Sequence, residues 1–479
     1  MCSAAALPKF IIVQSDVRQF SIGSKWLYAD SDLRLDASTY AQEAYEALRL
    51  LERCPYEKVA LGSVVRRVYH PTENQARSNF KRIWTKEGEG IPFLTGKQLF
   101  FLRPDKEKFV SRKMQKIDEL RLPKCTILLT RSGTTGFPVL VNKYLSQFAI
   151  TDDVLRIFPG TMPIGYVYAY LASSIGRPLV TKGEYGSTVD HLEAKHVTTV
   201  PIPLIPEDTQ KSIHKKILRA YALRDRANQL FNKAEQELYE LLAISAFTKD
   251  DIEFLDKSID LNAFSISSSD LIDRLDATNY IPVVRSAINK LQKGAFGLVP
   301  LSTICSKIFM PPRFKRNYVE VENGVPYLLP SQLCLMRPFD IKALSKSQAD
   351  NSPEYLLEEG NLLITTDGTV GRVHLITERM AAWFGSNNMV RLWDENTDMG
   401  FLYAYLATPY GLHQLRKDIY GGVVDHINES HIATVLCPNV PMDEQSKIGD
   451  IVRSAFRKKD EANDLEDDGI AELESIISG

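Results

Sequence analysis

Two short polar segments carry the side chains best suited to hydrogen bonding with nucleic-acid bases. The first follows Tyr69-His70-Pro71 and contains Asn74, Gln75, Arg77, Lys81 and Arg82. The second follows Phe309-Met310-Pro311 and contains Arg313, Lys315, Arg316 and Asn317. In the major groove, Arg and Lys donate to guanine, and Asn and Gln pair with adenine through two hydrogen bonds. We therefore predict base-reading segments at 74–77 and 313–317.

Further basic side chains suit the phosphate backbone of a nucleic acid. We predict phosphate or positioning contacts from Arg66, Arg67, Lys81, Arg82, Arg131 and Lys182. Residues 63–143 contain 17 Lys or Arg against 7 Asp or Glu, although the whole chain has a net charge of -2. A local field attracts an anion even where the net charge is near zero. A run of charges is also typical of a solvated face, so composition leaves that alternative open.

Glycine turns at 132–136 (Ser-Gly-Thr-Thr-Gly) and 367–371 (Asp-Gly-Thr-Val-Gly) have two interpretations. Their backbone N–H groups and hydroxyls would suit a phosphate. A β-hairpin turn requires the same residues, because glycine supplies a positive φ. By itself, the pattern favours the hairpin turn.

No pattern in the chain predicts a catalytic residue or a metal site. Asp190-His191 and Asp425-His426 are followed at the same spacing by His196 and His431. Neither pair has a nearby Cys or a third matching His to complete a zinc ligand set, so hydrogen-bonded turn histidines are the favoured interpretation. Residues 91–98 lack the first glycine and the final hydroxyl of a phosphate loop, which argues against nucleotide binding.

These segments belong to a chain that contains an internal sequence repeat. The second copy follows about 235 to 240 residues after the first. Matching segments in the same order include 34–40 with 274–280, 90–94 with 324–328, 130–136 with 365–371, 165–172 with 400–407, and 185–192 with 420–427. Such a repeat predicts two copies of one fold. The copies diverge in the polar segments, as expected if a shared framework positions the protein and variable residues read two unlike sequences.

A long amphipathic helix is predicted at the end of each copy. Apolar residues recur at steps of three and four from Ile213 to Leu241, which indicates a helix from about Glu207 to about Leu242, roughly 50 Å long. The second copy preserves this register after Pro441. Two such helices can bury their apolar stripes against one another if they run antiparallel. The predicted fold class is α+β: two homologous mixed α/β domains joined by two long antiparallel coiled-coil helices, a dumbbell with pseudo-two-fold symmetry.

Composition places the chain among soluble globular proteins. It is 44% hydrophobic and 25% charged, values that are ordinary for folded domains. Its six cysteines include no C-x-x-C pair, which fits a reducing compartment better than a disulfide framework. No apolar run approaches the roughly 18 residues that span a bilayer. We expect a cytoplasmic location.

The repeat and three of its segments resemble the DNA specificity subunit of type I restriction-modification systems. The segments are Leu128 to Gly136, Tyr185 to Leu192, and Pro201 to Pro206 before the first long helix. The resemblance implies target recognition domains at 1–206 and 246–441, and spacer helices at 207–245 and 442–479. The helices would act as a ruler between two half-sites and as a docking surface for partner subunits.

The resemblance also implies partners and a division of labour. A specificity subunit is non-catalytic and recruits two adenine methyltransferase subunits, and often restriction subunits, to double-stranded DNA. It binds no cofactor directly, since S-adenosylmethionine belongs to the methyltransferase. Two other classes stay open: an enzyme that modifies or cuts DNA itself, for which no suitable motif is found, and a DNA-binding or decoy scaffold of another phage-defence complex without associated methylation. Charge reversal at Arg77 and Arg316 would separate a DNA reader from a decoy.

Overall fold

The first half of the protein is built from short strands and helices followed by one long helix. The structure is a computed structural model that describes residues 42–72, 81–182, 192–248, 264–268, 271, 275, 277–421 and 424–479. The elements of the first half are α1 Gln42–Arg53, β1 Lys58–Ala60, α2 Leu61–Val64, β2 Arg67–Tyr69, β3 Trp84–Thr85, β4 Gly90–Leu94, β5 Lys108–Ser111, β6 Ile127–Thr130, β7 Pro138–Leu140, β8 Ala149–Ile150, β9 Val154–Phe158, α3 Ile164–Ala172, α4 Gly176–Thr181, α5 Ala194–Thr199, β10 Pro201–Pro203 and α6 Glu207–Leu242.

The second half repeats this order and adds one short helix, α9. Its elements are α7 Pro282–Gln292, β11 Leu298–Pro300, α8 Leu301–Ile304, β12 Lys307–Phe309, β13 Tyr318–Val319, β14 Gly324–Leu328, β15 Lys342–Ser345, α9 Lys346–Asn351, β16 Leu362–Thr365, β17 Val373–Leu375, β18 Phe384–Gly385, β19 Met389–Trp393, α10 Met399–Leu406, α11 Pro409–Arg416, α12 Glu429–Ala433, β20 Leu436–Pro438 and α13 Met442–Ser478. The mixed helix and sheet content of both halves confirms the predicted α+β class.

Sheet topology is the same in both halves. The first half has sheets ordered β2-β9-β6-β7, β3-β5-β4-β8 and β1-β10, and the second has β12-β19-β16-β17, β13-β15-β14-β18 and β11-β20. Neighbouring strands are antiparallel except for β4 with β8 and β14 with β18, which are parallel. Strand for strand, the predicted internal repeat is confirmed.

The connection between the first two sheets is where the copies differ most in length. Residues 70–83 join β2 to β3, whereas residues 310–317 join β12 to β13, so the first connection has 14 residues and the second has 8. Surface connections tolerate such length changes because added residues cost little loop-closure entropy and run outside the core. The length difference therefore falls on the polar segments that the sequence singled out.

Each domain core is attached closely to its own long helix. Helices α3 and α10 are apolar all round and buried, as expected for helices enclosed by a core. A Cβ atom on Gly165 would lie 2.8 Å from His214 of α6, and one on Gly400 would lie 2.8 Å from Gly449 of α13. Glycine at these two positions lets a core helix approach the long helix at backbone distance.

The two long helices pack against each other in antiparallel orientation. The ring centroids of Phe231 and Phe456 are 5.1 Å apart, and Lys216 pairs with Glu472 at 3.1 Å. Near the middle, Arg224 and Glu466 are 1% and 2% exposed in their side chains, and their charged groups lie 2.6 Å apart. The predicted first helix, from about Glu207 to about Leu242, is confirmed. No helix in the described residues is long and apolar enough to cross a membrane.

The two halves touch across the helix pair, so the expected dumbbell with separated halves is wrong. Each half packs against its own long helix and extends past the midpoint of that helix. Arg103 of the first half donates to Glu235 of α6 at 3.0 Å, and Arg337 of the second half donates to Asp467 of α13 at 2.6 Å. Because both halves reach the centre, they meet there, and Arg372 of the second half pairs with Asp105 of the first.

Candidate nucleic-acid interface

An exposed aromatic ring beside a lysine follows each polar connection. Trp84 of β3 is 47% exposed, and the Nζ of Lys108 lies 5.7 Å from its ring centroid. At the equivalent position, Tyr318 of β13 is 51% exposed, with the Nζ of Lys342 at 5.2 Å. Both rings lie on edge strands, since β3 pairs only with β5 and β13 only with β15 in the described sheets. An exposed ring can make an apolar contact with a thymine methyl group in the major groove, and a lysine attracts phosphate.

These aromatic and lysine pairs were not singled out as contacts from the sequence. Trp84 directly follows the first polar segment, and Tyr318 directly follows Asn317. The lysines are 24 residues further along the chain in both copies, on the neighbouring strand. A signal was present in the sequence, because an aromatic residue recurs after the one segment in which the copies diverge.

The arginine that precedes each edge strand binds the turn between the eighth and ninth strands of its half. Arg82 donates from Nε to Asp152 at 3.1 Å. Its counterpart Arg316 donates from Nη2 to Asn387 at 3.1 Å and from Nε to the hydroxyl of Tyr327 at 2.8 Å. Arg82 therefore faces a carboxylate that neutralises it, whereas these two partners of Arg316 are uncharged. This hydrogen bond to Tyr327 raises the pKa of Arg316. The second half thus keeps a positive charge where the first half has an ion pair.

Arg131 is buried, at 8% exposed, and is satisfied by protein groups. It pairs with Asp153 at 3.2 Å and donates from Nε to the carbonyl of Leu192 at 3.0 Å. Since Asp152 and Asp153 are neighbours, this turn brings Arg82 and Arg131 together. The described contacts of Arg131 fix the glycine turn that follows it, and its predicted phosphate contact stays a prediction.

The glycine turns close β-hairpins in both halves. They join β6 to β7 and β16 to β17, and Gly136 donates its backbone N–H to Thr130 at 2.9 Å. Gly136 has a φ of +77°, and a Cβ there would lie 2.6 Å from Thr181. The favoured hairpin interpretation is confirmed. Gly133, at the tip, has a φ of +76° and no atom within 4 Å of the position of a Cβ, so the tip stays open.

His426 of the second copy is a turn residue, as favoured from the sequence, whereas the turn assignment is wrong for His196 and His431, which lie in helices α5 and α12. His426 exchanges backbone hydrogen bonds with Tyr420, and its Nδ1 contacts the carboxylate of Asp367 in the glycine turn. The matching Asp190 and His191 lie outside the described residues. Within the described part of the chain, no group of three His, Cys, Asp or Glu side chains could hold a metal ion.

The other predicted contact residues lie in several places. Arg66 and Arg67 are exposed on and beside β2, where the Arg67 guanidinium lies 3.7 Å from the ring centroid of Tyr69. Lys81, Arg313, Lys315 and Asn317 are exposed near the edge strands, and the half-buried Lys182 follows α4 near the glycine turn. Asn74, Gln75 and Arg77 lie outside the described residues. The structure therefore brings Arg82 and Arg131 together and places Lys81 beside Arg82. Arg66 and Arg67 lie on and beside β2, which is in the sheet of β6, the strand before Arg131.

Residues 299–474 match the family model of the Type I restriction modification DNA specificity domain. The first half repeats this matched segment in topology, from β1 through α6. This match identifies residues 299–474 as a type I restriction-modification DNA specificity domain. No curated protein matches this chain.

Solved structures similar to this chain include three from type I systems. The S subunit from M. genitalium is 13% identical, with 89% of this chain and 96% of that chain covered and a TM-score of 0.35. The HsdS subunit from Thermoanaerobacter tengcongensis is 12% identical, with 88% and 97% covered and a TM-score of 0.28. A chain from a structure on the complex assembly and conformational transition of the type I R-M system is 15% identical, with 89% and 98% covered and a TM-score of 0.27.

Proposed function

We propose that each half of this DNA specificity subunit reads one half of a bipartite target, with recognition domains at 1–206 and 246–441. One observation carries the proposal. Two halves of identical sheet topology differ most in length in the connection that holds the polar and basic residues. Shared framework contacts position a protein on DNA, whereas variable side chains specify the sequence. Two different connections on one scaffold therefore suit two different half-sites.

The proposed contact surface combines three features of each half. The polar connection supplies base-reading groups, the exposed Trp84 or Tyr318 supplies an apolar ring for contact with thymine methyl groups, and exposed cations hold phosphates. In the first half, Lys81, Lys108 and Arg112 are exposed on or beside the sheet that contains the edge strand. In the second half, Arg316 keeps its charge between uncharged partners. Both halves therefore have the electrostatic means to bind a phosphate backbone.

We further propose that this chain is the non-catalytic member of its complex and that partner subunits perform the chemistry. Adenine methyltransferase subunits, two in number, would dock on the spacer helices at 207–245 and 442–479, and restriction subunits would join them. Outward positions of the first long helix, such as Lys215 and Arg226, are exposed, as are Asp450 and Asp468 of the second. These exposed positions leave both helices available to partners. S-adenosylmethionine would be bound by the methyltransferase.

Mapping of modified bases tests the proposal directly. The native gene neighbourhood would be expressed with this chain, without it, and with Arg313→Ala, an exposed residue of the predicted base-reading segment, followed by long-read detection of methylated adenines. The proposal requires a bipartite motif that disappears without the chain and that Arg313→Ala relaxes in one half only. Asp350→Arg, an exposed change on α9 of the same half, is the matched control. An unchanged methylome without the chain would contradict the methyltransferase role and favour a decoy or an unmethylated defence complex.

A further inference from the structure

The two halves are joined by a pair of equivalent segments, residues 100–105 and 334–340, which we call the clamp segments. Both contain an Arg-Pro step followed by an aspartate, Arg103 to Asp105 and Arg337 to Asp340. Their backbones pair across the interface. Met336 donates its N–H to the carbonyl of Phe100 at 2.8 Å, and Phe101 forms an antiparallel bridge with Leu335.

Side chains on both sides strengthen this backbone contact. Arg372 holds the carboxylate of Asp105 with both terminal nitrogens, at 2.8 Å from Nη1 to Oδ1 and with a second contact from Nη2. Phe339 of the second half packs on Phe100 and Phe137 of the first, with ring centroids 4.9 and 4.2 Å apart. A forked arginine and carboxylate pair is geometrically specific, because two parallel hydrogen bonds fix the angle as well as the distance.

Each clamp segment is also fixed to its own long helix. Arg103 donates to Asn232 and Glu235 of α6, at 3.1 and 3.0 Å. Arg337 donates to Asp467 of α13 at 2.6 Å. The clamp segments therefore connect four parts of the molecule: both halves and both helices. Relative movement of the halves along the helix pair must therefore break the backbone contacts between the two clamp segments.

One side of the clamp is tighter than the other. Beside Phe339 and Asp340 lies a cavity of about 320 Å³, and the half-buried Arg177 reaches Asp340 only at 3.4 Å. On the opposite side, Arg372 and Asp105 are only 18% and 32% exposed in their side chains. The Arg372 and Asp105 pair is therefore the contact that best resists movement of the halves.

We propose that the clamp, and the Arg372 and Asp105 pair in particular, determines the spacing between the two half-sites that the protein accepts. This proposal rests on the bipartite reading proposed above. One extra base pair moves a half-site by about 3.4 Å along the DNA axis and turns it by roughly 35°. A hydrogen bond of 2.8 Å does not survive a displacement of that size. Direct contact between the halves thus fixes the spacer, in addition to the length of the helices.

Charge reversal and charge exchange test this role. The variants are Asp105→Arg, Arg372→Asp and the exchanged double variant, each in the full chain with its native partners, with Asp350→Arg as the control. The first measurement is hydrogen exchange at the amides of Leu102 and Met336, which reports whether the clamp is closed whatever the DNA function. The second is the methylated motif and the length of its spacer.

We expect each single variant to increase amide exchange at the clamp and to allow methylation at sites whose spacer is one base pair longer or shorter. The exchanged variant should restore slow exchange and the single spacer. Single variants that open the clamp and keep the wild-type spacer and methylation level would overturn the proposal, as would an exchanged variant no better than either single one. If the wild-type protein directs no bipartite methylation, the proposed function fails instead, which the exchange data distinguish.

Discussion

Glu466→Ala should destabilise the protein strongly, because it leaves a buried arginine without its counter-charge. Arg224 and Glu466 are almost fully buried between the long helices, with 2.6 Å between their charged groups. Glu466 also accepts from the hydroxyl of Tyr168 at 2.9 Å and lies 3.5 Å from Arg337. Burial lowers the pKa of Arg224, but Glu466 and nearby tyrosines more than offset this, so the net shift is upward.

The magnitude follows from the burial of both groups. Removing one partner of a buried ion pair costs about 3 to 5 kcal/mol, because the remaining charge stays in a medium of low polarity. Replacing both partners by apolar residues of similar volume is often neutral or stabilising. The double variant Arg224→Met with Glu466→Leu should therefore recover most of the loss. The equivalent position in the first helix is Phe231, which shows that an apolar side chain is accommodated in this environment.

A surface pair on the same two helices provides the control. Arg219 and Glu461 lie 3.4 Å apart, and their side chains are 68% and 37% exposed. Glu461→Ala should cost less than about 1 kcal/mol, because water screens an exposed pair. Urea denaturation followed by circular dichroism gives the free energy of unfolding for all variants. A loss below about 1 kcal/mol for Glu466→Ala, or a double variant as unstable as the single one, would refute the reasoning.

Three further predictions concern the DNA-facing surface and its support. Trp84→Ala and Tyr318→Ala should each weaken binding to the mapped double-stranded target by about 1 to 3 kcal/mol in fluorescence anisotropy, because a contact with the bases is lost, and thermal denaturation should show an unchanged midpoint. Arg316→Gln should reduce the slope of log K against log salt by about 1, whereas Arg82→Gln, which removes a neutralised charge, should change it less; equal slopes would contradict this. Burial lowers the pKa of His70 from 6.5 to about 4, with Arg131 and Arg156 adding to the effect. Because the unfolded chain then binds more protons, stability should fall as pH decreases from about 6.5 toward 4, and His70→Gln should make the urea midpoint less dependent on pH between 6.5 and 5.

Local patterns in the sequence determined the repeat, the long helix and the hairpin turns. Helix α6 begins directly after Pro206, and its apolar stripe recurs at helical spacing, so both its start and its buried face depend on neighbouring residues alone. The glycine turns depend on a positive φ at Gly136, which is a property of one residue. The polar connection could be located from the sequence because the two copies can be aligned with each other, and they diverge in this segment.

Only the tertiary structure decided which charges are free and whether the halves meet. Arg82 and Asp152 are 70 residues apart in the chain, and Arg372 and Asp105 are 267 residues apart. In the sequence, Arg82 and Arg316 are equivalent basic residues, yet one faces a carboxylate and the other an amide. The clamp also depends on tertiary packing, because it forms where two segments that are remote in the sequence meet at the centre of the helix pair. Periodicity and turn chemistry act over a few residues, whereas charge pairing and domain contact depend on distances that the packing of distant segments sets.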